Sequence, residues 1–122
     1  MQNLNSKPKN ELQNRSYQFS LNIIRLCDTL PQKRSAWVIA DQLIRSATSI
    51  GANIIEAKAS SSRLEFKKFF EISLKSANET VYWLLLLKDS NLIVPSKVNA
   101  LITECEELGR MLGKSVLTLK RK

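Results

Sequence analysis

The chain has 122 residues, of which 43% are hydrophobic and 25% are charged, a composition that is typical of one globular domain and excludes an intrinsically disordered chain. Three glycines and three prolines allow few turns, and no apolar run reaches the ~20 residues that a membrane-spanning helix needs. Nineteen Lys and Arg against 11 Asp and Glu give a net charge of +8, which favours polyanionic partners such as RNA, DNA or an acidic protein surface.

Apolar residues at helical spacing predict four helices, of which two lie in the first half of the chain. The first covers residues 11–30, after a flexible N-terminal segment at residues 1–10. It ends before Pro31, because a residue that precedes proline is disfavoured in helical geometry. The second covers residues 36–60, with Ser35 as its N-cap. Its core-facing stripe runs from Ala36 to Ala57.

The second half of the chain predicts two more helices. The third covers residues 63–89 and follows Ser62, which forms the S-x-x-E spacing of a capping box with Glu65. The fourth covers residues 95–119, with Pro95 in its first turn and a basic tail at residues 120–122. No segment has the pattern of a strand. Because the connections are short, the predicted fold is all-α, an antiparallel up-down-up-down four-helix bundle over residues 11–119.

A polar flank lies beside the core stripe of the second helix. Its members fall together on a helical wheel, and they are Gln42, Arg45, Ser46, Ser49, Asn53 and Glu56. If the second and third helices pair antiparallel, Arg45 comes within a turn of Glu79, which shares its own flank with Trp83. The first interpretation is a polar seam between helices or subunits, which fixes register with little net gain in stability. Contact of Arg45 with nucleic acid and a ligand or catalytic site are the alternatives.

Glycine at position 51 costs ~1 kcal/mol relative to alanine in a helix interior. We therefore expect a neighbouring backbone to approach the second helix closely at Gly51.

The residue types in the sequence give little support to an enzymatic function. The chain has no histidine, which is the commonest general base near neutral pH and a common metal ligand. Cys27 and Cys105 lie in apolar surroundings and are interpreted as buried reduced thiols, with a disulfide or a reactive thiol as the alternative. We expect no enzymatic activity, no metal and no cofactor. A mechanism based on the carboxylates of Glu56 and Glu79 is the remaining catalytic alternative.

Two groups of basic residues are candidate contacts for nucleic acid. Lys67, Lys68 and Lys75 project from the outward side of the third helix, where solvated surface charge is the competing interpretation. The second group lies near the C-terminus without an intervening acid, and consists of Arg110, Lys114, Lys120, Arg121 and Lys122. Cations there also complement the helix dipole. Since no aromatic residues interleave with them, we expect binding through phosphates with weak sequence selectivity.

Two segments carry a family resemblance: QLIRSATSIGANIIEA at residues 42–57 and SRLEFKKFFEISLKSANETVYWLLLL at residues 62–87. Through the patterns R-S-x-x-S-I-x-A-N-I-x-E and E-T-x-Y-W-L, the chain resembles the four-helix-bundle proteins encoded in 23S ribosomal RNA intervening sequences, over about residues 17–119. The resemblance implies a bundle of this topology, often assembled as a homopentamer and usually without an assigned activity. It gives the motif residues no proven chemical role. These are Arg45, Ser46, Ser49, Ile50, Asn53, Glu56, Glu79, Thr80, Tyr82, Trp83 and Leu84.

The same family is similar, more distantly, to the basic pentameric accessory protein of diversity-generating retroelements, which binds a reverse transcriptase and nucleic acid. The leading hypothesis is therefore a non-enzymatic homo-oligomer, a pentamer, that binds RNA or DNA through phosphates. The alternative is an adaptor that docks a protein partner such as a reverse transcriptase. In a ring the polar flank would face the next subunit, with Tyr82 and Trp83 as interface candidates, although Trp83 also fits an ordinary core position.

The polar N-terminal sequence MQNLNSKPKN lacks the hydrophobic centre of a signal peptide. We therefore expect a cytoplasmic protein without a membrane partner.

Overall fold

The computed structural model describes residues 11–121, which form four α-helices: α1 (Glu11–Cys27), α2 (Arg34–Lys58), α3 (Arg63–Asp89) and α4 (Ser96–Lys120). No residue in this range is in a strand. Each helix packs against the next one along the chain, and α1 packs against α4. The chain therefore forms the predicted four-helix bundle, in which sequence neighbours are also spatial neighbours. The predicted N-terminal segment and Lys122 lie outside the described residues.

The core is built from the apolar stripe of every helix. Its largest fully buried apolar side chains are Phe19, Ile23, Leu43, Ile50, Ile54, Leu84, Leu87, Val98, Leu108 and Leu112. Within each helix they recur at spacings of three, four, seven or ten residues, as expected for one face of an α-helix. Full burial of each such side chain contributes about 1.5–3 kcal/mol, so this core is the main source of stability.

The connection between α1 and α2 differs from the prediction at both ends. α1 ends at Cys27, three residues early, and the amides of Thr29 and Leu30 bond three residues back, at 3.0 and 3.2 Å. The prediction of Ser35 as N-cap was wrong, because α2 begins at Arg34 after Lys33, which makes no side-chain cap. The Lys33 amide donates to the carbonyl of Pro31 at 2.9 Å, and this tight turn starts the helix two residues before the predicted position.

The other two connections follow the predicted signals more closely. The Ser62 side chain accepts a hydrogen bond from the Glu65 amide at 3.1 Å, while the Glu65 carboxylate accepts from the amide of Ser61 rather than that of Ser62. α3 ends before Asn91, whose φ of 63° is left-handed, a conformation that asparagine adopts readily after a helix. Pro95 immediately precedes α4, and its carbonyl accepts from the amides of Val98 and Asn99, both at 3.0 Å.

Candidate functional site: the α2–α3 seam and the basic surface

A row of hydroxyl groups joins α2 and α3. The hydroxyls of Thr80 and Ser46 lie 2.9 Å apart, as do those of Ser76 and Ser49. One turn further on, the Ser73 hydroxyl donates to the backbone carbonyl of Ile50 at 2.8 Å. We call these contacts the hydroxyl row. The residue numbers fall along α3 as they rise along α2, so the contacts define the antiparallel register of the two helices. Small polar side chains also let two helix backbones approach one another while each buried oxygen keeps a partner.

An ion pair lies at the outer edge of the hydroxyl row. The Arg45 guanidinium contacts the Glu79 carboxylate, as predicted, and both side chains keep contact with solvent, at 56% and 36% exposure. Arg45 also donates from Nε and Nη2 to Gln42 Oε1, at 3.1 and 2.8 Å. The Trp83 indole donates to the same carboxylate at 2.8 Å. We call Gln42, Arg45, Glu79 and Trp83 the Arg45 cluster.

The Arg45 cluster favours a charged Glu79. The hydrogen bond from Trp83 lowers the pKa of the Glu79 carboxyl, the Arg45 guanidinium lowers it further, and partial desolvation opposes both effects. A carboxylate held in its charged form by two donors is a poor general acid or base near neutral pH. The cluster is therefore better suited to fixing the α2–α3 register than to proton transfer.

The remaining residues of the predicted polar flank do not join this cluster. Ser46 and Ser49 belong to the hydroxyl row, and the Asn53 amide donates to the carbonyl and hydroxyl of Ser49, at 2.8 and 2.9 Å. Glu56 is exposed, and its carboxylate makes no hydrogen bond or ion pair with another residue of the range 11–121. It lies 11 residues beyond Arg45 along α2, about 16 Å at 1.5 Å per residue. The structure thus does not bring Glu56 and Glu79 together.

The basic residues that were predicted to contact nucleic acid lie in three separate parts of the surface. Lys67 and Lys120 meet between α3 and α4 at Glu71, each with its Nζ 3.9 Å from a carboxylate oxygen. Lys68 and Lys75, seven residues apart, are exposed on α3. Three other exposed cations lie near the C-terminal end of α4, and these are Arg110, Lys114 and Arg121.

These three cations share one outward stripe, of which Arg121 directly follows the last residue of α4. At 100° per residue, the spacings of 4 and 7 residues place them within about 40° of one another on the helical wheel. Arg110 donates to Glu107 at 3.0 Å, whereas Lys114 and Arg121 have no ion-pair partner among residues 11–121. We call these three residues the α4 basic stripe. Lys122, the last predicted member, lies outside the described residues.

Sequence reasoning missed an ion pair between α1 and α4. Arg15 contacts Glu104 through two hydrogen bonds, from Nε at 3.0 Å and from Nη2 at 2.7 Å. The hydrogen bond to this carboxylate raises the pKa of Arg15. No sequence signal identifies the pair, because α1 and α4 are not consecutive and no short loop fixes their register.

Both cysteines are free. Cys105 is fully buried, and desolvation, with Glu106 and Glu104 nearby, raises the pKa of its thiol to about 12. Cys27 is partly buried, and desolvation with Asp28 and Asp41 raises the pKa of its thiol to about 11. Both thiols are therefore protonated near neutral pH, which disfavours a reactive thiolate.

Residues 11–121 contain no group of three or more cysteine, aspartate or glutamate side chains that could hold a metal ion. Among the helices of the same range, none combines the length and apolar character needed to cross a bilayer.

Four antiparallel helices around one apolar core, with a hydroxyl row between two of them, define a small antiparallel four-helix-bundle protein. The chain belongs to the 23S rRNA-intervening sequence protein family, whose sequence model matches residues 8–114. It is similar to a crystal structure from Bacteroides thetaiotaomicron, a protein with unknown function from the S23 ribosomal protein family. The two chains are 34% identical with a TM-score of 0.81, and the match covers 86% of this chain and 97% of the other. No curated protein matches the chain.

Proposed function

We propose that this protein is a non-enzymatic, self-associating bundle that binds RNA or DNA through phosphate contacts along the α4 basic stripe. The observation that carries the proposal is the stripe itself: three exposed cations on one outward helix face, two of them without an ion-pair partner in the described range. Residues 110 to 121 extend about 16 Å along the helix. A row of this length can contact several phosphates and has no built-in means of reading bases.

Self-association strengthens such binding. A protomer of charge +8 with one short stripe binds a polyanion weakly, but several linked copies bind with a higher effective affinity. Support for an interface comes from the outer face of α2 and α3. Around the Arg45 cluster this face exposes large apolar side chains, with Val38 at 54%, Tyr82 at 58% and Leu86 at 37% exposure. The register of the hydroxyl row puts Val38 opposite Leu86, so these residues form a patch suited to a protein contact.

The binding proposal is tested by fluorescence anisotropy with labelled single-stranded RNA and DNA of one length. Charge reversal of Lys114→Glu together with Arg121→Glu is expected to weaken binding at least about tenfold at low salt. The matched control is Lys33→Glu with Lys97→Glu, which changes the net charge equally at the opposite end of the bundle. We expect the nucleic-acid affinity of the control to fall about threefold or less, because only the overall electrostatic field of the protein changes.

Salt dependence supplies an independent criterion. If phosphates are the ligand, the logarithm of the affinity falls linearly with the logarithm of the salt concentration, and the α4 double variant has a shallower slope. Binding that does not respond to salt would rule out the phosphate contact. Equal losses in the α4 and control variants would place the contact elsewhere on the surface.

A further inference from the structure

A groove opens at the end of the bundle where α1 begins. It has a volume of 610 Å³ and is lined by residues from all four helices, a size within the range of small-molecule sites. Its wall is largely apolar and includes Ile54, Phe66, Phe70, Met111 and Leu119. The rings of Phe66 and Phe70 stack with centroids 4.8 Å apart. The groove therefore offers an apolar ligand a preformed surface.

The charged residues at the groove rim are mainly cationic. Lys58 and Lys114 line the groove, and neither has an ion-pair partner among residues 11–121. The one acidic residue in the lining, Glu11, is paired with Arg15 at 3.7 Å. Two lysines next to stacked phenylalanine rings thus create a site with an apolar floor and a positive edge.

A second, smaller depression continues the groove toward the start of α3. The two depressions share Lys58, Phe66 and Leu119 as lining residues, and the smaller one adds Arg63. Arg63 uses one N–H to donate to the Leu119 carbonyl at 3.3 Å, which keeps its guanidinium at the mouth. Positive charge is therefore concentrated on the same side as the opening.

We propose that this groove binds a small amphipathic anion, a carboxylate with an apolar chain or ring. The apolar part lies against Phe66 and Phe70, and the carboxylate faces Lys58 and Lys114. Burial of the chain provides about 25 cal/mol per Å² of apolar area, while the lysines discriminate by charge. This site shares Lys114 with the α4 basic stripe, but it lies beyond the proposed nucleic-acid function because neither Lys58 nor the apolar floor belongs to that stripe.

The chain's own N-terminal residues are the competing occupant. Glu11 borders the groove, and residues 1–10 contain Lys7 and Lys9 but no acid. Their charge repels the lysines at the rim, whereas a carboxylate is attracted. Charge complementarity thus favours the anion.

Methyl NMR on the full chain tests the proposal. The chain has two methionines, and Met111 lines the groove, so a sample labelled at the methionine methyl groups reports on the site directly. Decanoate is titrated below its micelle-forming concentration, alongside decanol and decyltrimethylammonium. We expect the Met111 methyl to shift saturably with decanoate, more weakly with decanol, and not with the cation. No shift with decanoate, or an equal shift with the cation, would overturn the proposal.

Three substitutions and one deletion complete the test. Lys58→Gln is expected to weaken decanoate binding about threefold, whereas the matched control Lys97→Gln, at the opposite end of α4, leaves it unchanged. Ser115→Leu fills the groove from α4 and is expected to abolish the shift while the helical circular dichroism stays the same. Decanoate binding that appears only after residues 2–10 are deleted would show that the chain itself occupies the groove, and would contradict the proposal. The RNA affinity of Lys58→Gln is measured as well, because Lys58 is not part of the α4 basic stripe. A variant that binds decanoate more weakly but RNA as tightly as the wild type shows that the two sites are separate.

Discussion

At the scale of single residues, the hydroxyl row explains why so many polar side chains lie in packing helices. Thr80, Ser46 and Ser73 are fully buried, and a buried hydroxyl without a partner costs about 1–3 kcal/mol. Each of the three has a partner, either on the facing helix or on a carbonyl of its own helix. The polar atoms thus fix the register at little cost, while the neighbouring apolar stripes supply the stability.

The substitution Thr80→Val tests that account. It keeps the side-chain shape but removes the hydroxyl that contacts Ser46 at 2.9 Å and the Ser76 carbonyl at 2.7 Å. We expect the free energy of unfolding to fall by about 1 kcal/mol, measured by urea denaturation. The control is Thr48→Val, because that hydroxyl bonds within α2 to the Ile44 carbonyl. A loss in the control equal to that of Thr80→Val would mean that the cross-helix hydroxyl contact contributes nothing.

The Arg45 cluster predicts a pH-dependent contribution to stability. Because folding lowers the pKa of Glu79 below its ordinary value of 4.5, the stabilisation is fully present above about pH 4.5 and is lost as the pH falls through the folded-state pKa. Both side chains of the pair are partly exposed, so the effect at pH 7 is expected to be under about 1 kcal/mol. The stability difference between the wild type and Glu79→Gln should shrink as the pH falls below 4.5.

Chemical denaturation from pH 7 to pH 3 measures this difference. Glu56→Gln is the matched control, because it removes the same charge from an exposed residue without a partner in the described range. A Glu79→Gln difference that stays constant down to pH 3 would show that the charge of Glu79 does not stabilise the fold.

The Arg45–Glu79 pair was predictable from sequence, whereas the Arg15–Glu104 pair was not. A short serine-rich turn joins α2 and α3, so their antiparallel register follows from counting residues on each side of it. In the sequence, α1 and α4 are separated by the two other helices. Although they pack against each other, their register depends on how the whole core packs. Thr80 and Ser73 are buried on α3, but no sequence pattern identified their partners on α2.

At the scale of elements, the interior of each helix was easier to predict than its ends. Helical periodicity extends over 17 to 27 residues and is redundant, while a helix end depends on one or two residues. At the start of α2, the turn at Pro31 overrides the capping preference of Ser35 because it begins the helix at Arg34. At the start of α3 no such turn competes, and Ser62 caps the helix as predicted.

The contact of α1 with α2 at Gly51 gives an element-scale prediction. A Cβ atom at position 51 would lie 3.5 Å from Ser16 Cβ and 3.8 Å from the backbone carbonyl carbon of Ser16. The two helices do approach closely there, but the space for one methyl group remains. Gly51→Ala is therefore expected to stabilise the fold by about 0.5–1 kcal/mol, through helix propensity.

A larger residue at position 51 distinguishes the effect of helix propensity from the effect of packing against α1. Gly51→Leu is expected to destabilise the fold, since its branched side chain would meet the α1 backbone. Gly113→Leu is the control, because a Cβ there meets nothing within 4 Å. Thermal unfolding of the three variants checks both expectations. Destabilisation by Gly51→Ala itself would show that α1 cannot accept even a methyl group.

At the scale of the whole molecule, the α4 basic stripe and the exposed apolar patch around the Arg45 cluster lie on different helices. The basic stripe is on α4, while the patch of Val38, Tyr82 and Leu86 is on the outer face of α2 and α3. This separation lets one face bind another subunit while the other stays open to a polyanion. Association through the apolar patch would therefore multiply the number of basic stripes on one particle without covering them.

The mass in solution tests this arrangement. By light scattering at high salt, we expect a particle of about five times the 13.9 kDa of one chain. Leu86→Glu places a charge in the apolar patch and is expected to reduce the mass to that of the monomer without loss of helicity. Leu117→Glu, at a residue 54% exposed on α4, is the control and should keep the wild-type mass. A monomeric wild-type protein would make the Arg45 cluster purely internal, and RNA binding would then depend on a single α4 stripe.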